Sequence, residues 1–184
     1  EDTVNSDSIA SGDAVAYQVV AGGTVGSIKI IIWQLKSNSA GRQVISANNQ
    51  ATTLAFGITR YVPLEAGCQL YATTETDTQV AAQASFSAKN LFVRVPTNSI
   101  NGSTTFTLRR NTADSVLTVT VAASTTGTFE DTTNTVDCVA ADLLGWGIVT
   151  GGSSGSMVIT YIGFELAQPT AVTAVLDASY GGIL

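Results

Sequence analysis

The chain contains two copies of one sequence segment, and the first copy starts at the first residue. Residues 1–33 align with residues 130–162 at a constant offset of 129 without a gap, and 11 of the 33 aligned residues are identical. Asp13 falls on Asp142, and Tyr17 falls on Trp146. A repeat of this kind marks a repeated structural unit. Because only the second copy follows a long preceding stretch, we expect one complete domain plus the C-terminal half of a preceding copy.

The sequence pattern of the complete copy predicts strands. Short runs rich in Val, Ile, Thr and Phe alternate with Gly, Asn, Asp and Ser, and no stretch keeps a 3.6-residue apolar period. Turns every 8–12 residues indicate an all-β, antiparallel two-sheet sandwich. Segments 104–109 and 116–121 alternate polar with apolar residues, which predicts one solvated face. The predicted strands are 53–61, 69–73, 79–86, 91–95, 104–110, 116–121, 133–139, 143–149 and 156–166.

The predicted domain boundaries follow from the repeat. Residues 1–37 are expected to be the C-terminal half of a first sandwich, 38–54 a polar linker or arm, 55–168 the complete sandwich, and 169–184 a C-terminal tail. Segment 28–35 is apolar on both faces of a strand and therefore needs cover on both. The cover is expected from upstream sequence or from strands that a neighbouring subunit donates. Both routes predict that the chain alone is not a self-sufficient monomer.

Charge and composition exclude several classes of function. The formal net charge is −6, and the eight basic residues are scattered, with only Arg109 and Arg110 adjacent. Nucleic-acid binding needs clustered basic residues, so it is not expected. No apolar run reaches the length of about 20 residues that a membrane helix requires. The absence of histidine excludes His-dependent catalytic triads and the usual His-containing zinc sites.

The two cysteines, Cys68 and Cys138, permit two interpretations. Cys138 aligns with Ile9 of the first copy, so its position favours a small apolar side chain, and a free buried thiol behaves as one. The alternative is a disulfide between the two residues. Two cysteines do not define a redox compartment.

Residues 59–166 carry a family resemblance. Six segments carry it: 59–64, 76–80, 90–95, 105–111, 127–132 and 141–144. Together they resemble the tandem β-sandwich domains that are common in bacteriophage and environmental viral sequences, often near structural genes. The closing segment, Asp142-Leu143-Leu144 with Ser156 and Gly163-Phe164-Glu165-Leu166, is similar to the last strands of C1q/TNF-like jelly rolls. This resemblance implies a jelly-roll sandwich used for assembly or display.

The densest acidic stretch is the candidate metal or catalytic site that the sequence offers. It contains Glu130, Asp131, Asp137 and Asp142, and Glu1, Asp2 and Asp13 repeat three of these. A Ca²⁺ site needs six to eight converging oxygens, and a glycosidase needs two facing carboxylates. Adjacent strand residues such as Glu130 and Asp131 point to opposite faces. The favoured interpretation is therefore turn capping and solvated loops.

Two further features are candidate binding sites. The loop Gly151-Gly152-Ser153-Ser154-Gly155 is glycine-rich, but it joins two predicted strands and precedes no helix that would bind phosphate. It is expected to be a hairpin. Four aromatic residues are candidates for stacking on sugar, but the repeat places Tyr17 and Trp146 at one position, which favours a core role. The four are Tyr17, Trp33, Trp146 and Tyr161.

The sequence therefore predicts a non-enzymatic protein without catalytic, cofactor or metal sites. The expected function is that of a structural protein of a virus particle: a phage capsid decoration, head-fibre or tail-associated subunit that acts through self-assembly. Its expected partners are copies of itself or other particle or filament proteins, with a surface glycan as a further candidate; no nucleic acid and no membrane partner is expected. The alternatives are a secreted filament or adhesin subunit that polymerises by strand exchange at the cell surface, or a carbohydrate-binding module.

Overall fold

The structure, a computed structural model, describes residues 53–64 and 72–167, and the backbone of residues 42–48. The chain divides into two units, residues 1–33 and 34–184, and every described residue belongs to the second. Three expectations therefore concern residues outside the described ones: the structural repeat of 130–162 in residues 1–33, the cover of segment 28–35, and the tail 169–184. Cys68 also lies outside them.

The described residues form an all-β structure, as predicted. They contain twelve strands, one 3₁₀ turn at Glu75–Asp77 and no α-helix. None of their helical segments is long and apolar enough to cross a membrane. The strands are β1 (Arg42–Asn48), β2 (Thr53–Ala55), β3 (Thr59–Val62), β4 (Val80–Ala81), β5 (Phe86–Val95), β6 (Thr97–Asn98), β7 (Thr104–Arg110), β8 (Ala113–Val121), β9 (Gly127–Cys138), β10 (Leu143–Thr150), β11 (Ser156–Val158) and β12 (Tyr161–Ala167).

The strands are arranged in three antiparallel sheets. Sheet I has the order β1-β12-β5-β9, and sheet II has the order β3-β10-β7-β8 with β4 also paired to β10. The small sheet III has the order β2-β11-β6. Buried and exposed residues alternate along β5 and β8 of the large sheets, because successive side chains of a strand point to opposite faces.

The pairing of the main strands is nested along the chain. Eight strands form the four-stranded paths of sheets I and II; in chain order they are β1, β3, β5, β7, β8, β9, β10 and β12. The first of them, β1, pairs with the last, β12, and the second, β3, pairs with the seventh, β10. The third pairs with the sixth, as β5 with β9, and the fourth with the fifth, as β7 with β8. Two further pairings, β12 with β5 and β10 with β7, complete the sheets. Each of the four nested pairs thus joins two of these eight strands, and all four pairs are antiparallel.

One hydrophobic core joins the inner faces of the two large sheets. Trp146 of sheet II is fully buried, and its ring meets the ring of Phe164 of sheet I edge-on at a centroid distance of 5.6 Å. Phe164 also stacks on Phe86 at 6.1 Å. Each large apolar side chain that is buried in this way contributes about 1.5–3 kcal/mol. The arrangement is that of a β-sandwich-like fold.

Two strands lie in the segment that was predicted to be a linker or arm. Residues 42–48 form β1, which pairs along its full length with β12, and Thr53 and Leu54 belong to β2. Residues 53–61 were predicted to be one strand but form β2 and β3, because Gly57 adopts a positive φ of 63° between them. The predicted strand 79–86 is reduced to the two residues of β4 and the first residue of β5.

The predicted five-residue turn after Arg110 is shorter in the structure. Arg110 pairs with Ala113, so only Asn111 and Thr112 form the loop, with φ values of 51° and 66°. Two-residue loops with both residues at positive φ match the twist of a hairpin. The prediction of a turn was right in position, but β8 begins earlier than expected.

Candidate functional site

Two glycines lie on the outer face of sheet II along β10, one of its two inner strands. Trp146 and Ile148 of β10 point into the core, so Gly145, Gly147 and Val149 face outward. The side chain of Arg109, from the neighbouring strand β7, lies over Gly147. A Cβ atom at Gly147 would stand only 2.9 Å from Cδ of Arg109. The missing side chain therefore makes room for the arginine.

Arg109 is held by side chains and backbone from three segments. Its Nε and Nη2 atoms donate to the two carboxylate oxygens of Glu75 at 2.9 and 2.8 Å. Its Nη1 donates to Asp114, and its Nη2 also donates to the carbonyl of Thr112. The guanidinium carbon lies 5.8 Å from the ring centroid of Tyr61. These bonds use four of the five guanidinium N–H groups.

This arginine clamp fastens the segment between β3 and β4 to sheet II. Glu75 lies in the 3₁₀ turn of that segment, and the side chains of Arg109 and Glu75 are only 14% and 12% exposed. The hydrogen bond with Glu75 raises the pKa of Arg109, and this outweighs the opposing effect of burial. The guanidinium therefore stays charged. With the carboxylates of Glu75 and Asp114 beside it, the three groups carry a net charge of −1.

Beside the clamp lies a shallow groove of about 220 Å³. Gly147 and Val149 form its floor along β10. Side chains of β3 form one wall, and side chains of β7 form the other. The lining residues are Thr59, Tyr61, Thr105, Thr107, Arg109, Asp114, Gly147 and Val149.

The threonines of the groove wall have defined hydrogen-bonding roles. The hydroxyl of Thr118 donates to the carbonyl of Phe106 at 3.0 Å. Since a hydroxyl has only one hydrogen, the 3.1 Å bond between Thr107 and Thr118 must use the hydrogen of Thr107. The lone pairs of the Thr107 oxygen are then what it presents to the groove. The hydroxyl of Thr105 is 3.4 Å from that of Thr120 and keeps more freedom.

Asp131 of the acidic stretch connects the two large sheets, because it lies on β9 of sheet I and accepts a hydrogen bond from β8 of sheet II. It is 6% exposed, and its carboxylate accepts hydrogen bonds from the backbone N–H groups of Thr118, Thr133 and Asn134. The side chains of Thr133 and Asn134 donate to it as well. Burial raises the pKa of Asp131, but these hydrogen bonds together lower it to about 2. Its role is the capping role that the sequence favoured.

The other three acidic residues of the stretch do not converge with Asp131 on a common point. Asp142 is buried and accepts hydrogen bonds from the backbone N–H of Val139 and the amide of Asn111, and the bond from Val139 is the largest cause of its lowered pKa. Asp137 is exposed and accepts from the Ser87 hydroxyl at 2.5 Å. Glu130 is exposed. In the part of the chain that the structure describes, no three acidic or cysteine side chains are grouped as metal ligands.

The aromatic candidates separate into core and surface residues. Trp146 is fully buried, so the core role predicted for it is confirmed and it offers no stacking surface. Tyr161 is 37% exposed on the outer face of sheet I, with its ring edge-on to Phe92 at 5.7 Å. Tyr17 and Trp33 lie outside the described residues. Tyr161 and the half-buried Phe92 thus form an aromatic pair on the outer face of sheet I.

The glycine-rich loop 151–155 joins two strands, as expected, but it is not a hairpin. It connects β10 of sheet II with β11 of sheet III, and those strands do not pair with each other. The side-chain oxygen of Asn101 accepts hydrogen bonds from the backbone N–H groups of Ser153 and Ser154. Gly152 and Gly155 have φ values of 77° and 94°. The loop is therefore fixed as a connection between sheets.

Cys138 is a free and buried thiol, which is the favoured of the two interpretations for that residue. Burial raises its pKa to about 11, and the nearby carboxylate of Asp142 acts in the same direction. A thiol with so high a pKa is a poor nucleophile at neutral pH. Cys138 is thus part of the core.

The groove was not foreseen from the sequence, although its two signals are present there. Gly145 and Gly147 alternate with core residues along a predicted strand, and Thr105 and Thr107 lie on the face that was predicted to be solvated. What the sequence did not provide was the neighbour relation of β3, β10 and β7, which brings these residues together.

No protein-family model and no curated protein sequence matches this chain.

Proposed function

We propose that this protein is a non-enzymatic structural subunit of a virus particle that acts through self-assembly. The observation that carries the proposal is the nested pairing of eight main strands in two four-stranded paths, which supports a jelly-roll topology. Jelly rolls serve as capsid and lectin domains, and both roles depend on surface contacts. The viral resemblance of residues 59–166 points in the same direction, as an analogy at the level of fold.

The chemistry of the described residues agrees with a binding and assembly role. Four charged side chains of types that often carry catalysis are committed to structural bonds here. Asp131 and Asp142 bond backbone N–H groups, and Arg109 and Glu75 bond each other. Catalytic acids and bases instead need a pKa near the working pH, and the pKa values of Asp131 and Asp142 are displaced downward.

Assembly requires a surface, and one side of the sandwich is closed against strand pairing. The edge strands β8 and β9 each carry a bulge, at residues 115–117 opposite Leu108 and at residues 132–134 opposite Asn90. The carboxylate of Asp131 bridges the two strands by bonding Thr118, and the guanidinium of Arg110 bonds the carbonyl of Asp137. Bulges and charged groups of this kind protect sheet edges from pairing with other chains.

The opposite side favours a second candidate function. β1 pairs with β12 over seven residues, and no other described strand lies at its outer edge. An edge that is unpaired among the described strands is a template for strand addition from another chain. A secreted filament or adhesin subunit that polymerises by strand exchange uses such an edge. Both candidates place function in contacts between chains.

Purification of particles from the source sample distinguishes the two candidates. Density-gradient fractions that contain intact virus particles are digested and analysed by mass spectrometry, alongside the filament and cell-surface fractions. The proposal expects peptides of this chain to co-sediment with nucleic-acid-containing particles at a constant ratio to other particle proteins. Peptides found only with filaments or cell surfaces would favour the second candidate and contradict the first.

A further inference from the structure

We propose that the groove on the outer face of sheet II binds one uncharged sugar unit of a glycan. The groove is bounded by Thr59 and Tyr61 of β3, by Thr105 and Thr107 of β7, and by Val149 of β10. This inference does not rest on particle assembly, because the groove is formed entirely by residues within one chain.

The size of the groove limits the ligand to a small ring. Its volume is about 220 Å³, whereas pockets for drug-sized molecules measure roughly 300–1,000 Å³. The groove is also open to solvent along β10, where Val149 is 51% exposed. A single ring can therefore sit in the groove while the rest of a longer chain extends away from it.

The hydrogen-bonding groups of the groove match a ligand that carries hydroxyl groups. The oxygen of Thr107 offers lone pairs, since its hydrogen is used by Thr118. The hydroxyls of Thr59 and Thr105 can each donate and accept. The carboxylate of Asp114 is 73% exposed and provides a further acceptor at the rim. A sugar presents donors and acceptors on adjacent carbon atoms, so it can satisfy this mixture.

The charges at the groove disfavour an anion. Among the described residues that line the groove, Arg109 is the cation. It has a carboxylate on two sides, from Glu75 and Asp114, so the three groups together carry one negative charge. Four of the five N–H groups of Arg109 are already used within the protein. A phosphate, a sulfate or an acidic sugar would meet net repulsion and few free donors. A neutral sugar would avoid this repulsion.

The groove is also rigid before the ligand arrives. Its walls are paired strands, and Arg109 is held by Glu75 with two bonds below 3 Å. Tyr61 lies against the guanidinium of Arg109, which limits movement of its ring. Groups that are already in place lose little entropy on binding. Tyr61 and Val149 supply the apolar surface on which the carbon-bound hydrogens of a sugar ring can pack.

A glycan array followed by titration calorimetry tests the proposal with the 184-residue protein. The probes are neutral mono- and oligosaccharides, with sialylated and sulfated glycans and inorganic phosphate as anionic probes. The expected result is saturable binding to at least one neutral glycan and weaker or no binding to the anionic probes. Preferential binding to anionic probes, or an array without signal above blank, would overturn the proposal.

Three variants locate the binding site. Val149→Trp fills the groove from its floor and is expected to abolish binding. Thr59→Val removes one hydroxyl and is expected to weaken binding roughly 3- to 10-fold, the loss of one neutral hydrogen bond. Thr128→Val removes an exposed threonine on β9, outside the groove, and should leave affinity unchanged. Circular dichroism confirms the fold of each variant. Unchanged affinity of a folded Val149→Trp protein would place the ligand elsewhere and refute the assignment.

Discussion

Replacing Asp131 by alanine removes the acceptor that joins the two large sheets at their β8–β9 side. The carboxylate receives hydrogen bonds from Thr118 across the sheets at 3.1 Å and from Thr133 and Asn134 within its own bulge. After the substitution, three backbone N–H groups lose their partner. Asp131 itself is 6% exposed, whereas Thr118 and Asn134 are half-buried and Thr133 is exposed. Each unpaired buried group costs about 1–3 kcal/mol. Because water can reach some of these N–H groups in the variant, we expect the free energy of unfolding to fall by only about 2–4 kcal/mol.

The pH dependence gives an independent measure of the same interaction. The pKa of Asp131 falls from 3.8 to about 2 on folding, and one pKa unit corresponds to about 1.4 kcal/mol. The ionised carboxylate therefore contributes about 2 kcal/mol. Because the pKa is lowered in the folded state, this contribution is fully present above the unfolded value of 3.8 and disappears as the pH falls towards 2. Asp131→Asn lacks the charge at every pH and should lose this part of the acid dependence.

Urea unfolding followed by circular dichroism tests both expectations. The original protein, Asp131→Ala, Asp131→Asn and the control Glu130→Gln are compared at pH 7 and at pH 3. Glu130 is the exposed neighbour of Asp131, so its neutralisation changes the net charge equally without removing the cap. We expect Glu130→Gln to stay within about 0.5 kcal/mol of the original protein. Asp131 variants that match the control at both pH values would refute the capping role.

Three further predictions concern the clamp, the core and the thiol. Arg109→Ala should destabilise the fold by about 3–5 kcal/mol in urea unfolding, because the poorly exposed carboxylate of Glu75 loses its partner. The double variant Arg109→Ala/Glu75→Ala should recover part of that loss. Strictly additive losses would contradict the role of the clamp. Trp146→Ala should cost about 3–5 kcal/mol, whereas Tyr161→Ala on the outer face of sheet I should cost far less, and equal costs would contradict the placement of Trp146 in the core. Cys138, with a pKa raised to about 11, should be alkylated at pH 8 far more slowly in native protein than in urea, as measured by peptide mass spectrometry; equal rates would show an exposed thiol.

Much of the all-β architecture follows from local sequence patterns. The alternation along 104–109 and 116–121 predicted β7 and β8 with their faces correctly assigned, because burial of one face fixes which residues point inward. Phe106, Leu117 and Val119 are buried as that pattern requires, and Thr105 and Thr120 face outward. Turn-forming residues also gave the position of the β7–β8 loop, because Asn111 tolerates positive φ.

The features that were missed depend on pairing between distant segments. β1 lies in a polar stretch that resembles a linker, and only its pairing with β12 at the far end of the domain makes it a strand. The groove requires Thr59 and Val149, which the pairing of β3 with β10 brings side by side. The bulge that places Asp131 under Thr118 depends on the register of β9 against β5. The strand propensity of each segment does not show which distant strand it pairs with, or in which register.

The mass of the 184-residue chain in solution, measured by light scattering over a range of protein concentrations, tests self-assembly directly. If contacts between chains carry the function, the measured mass will exceed the 18.9 kDa of one chain and rise with concentration towards a defined multiple. A stable species of 18.9 kDa at every concentration, with residues 1–37 fully protected from protease, would contradict the account.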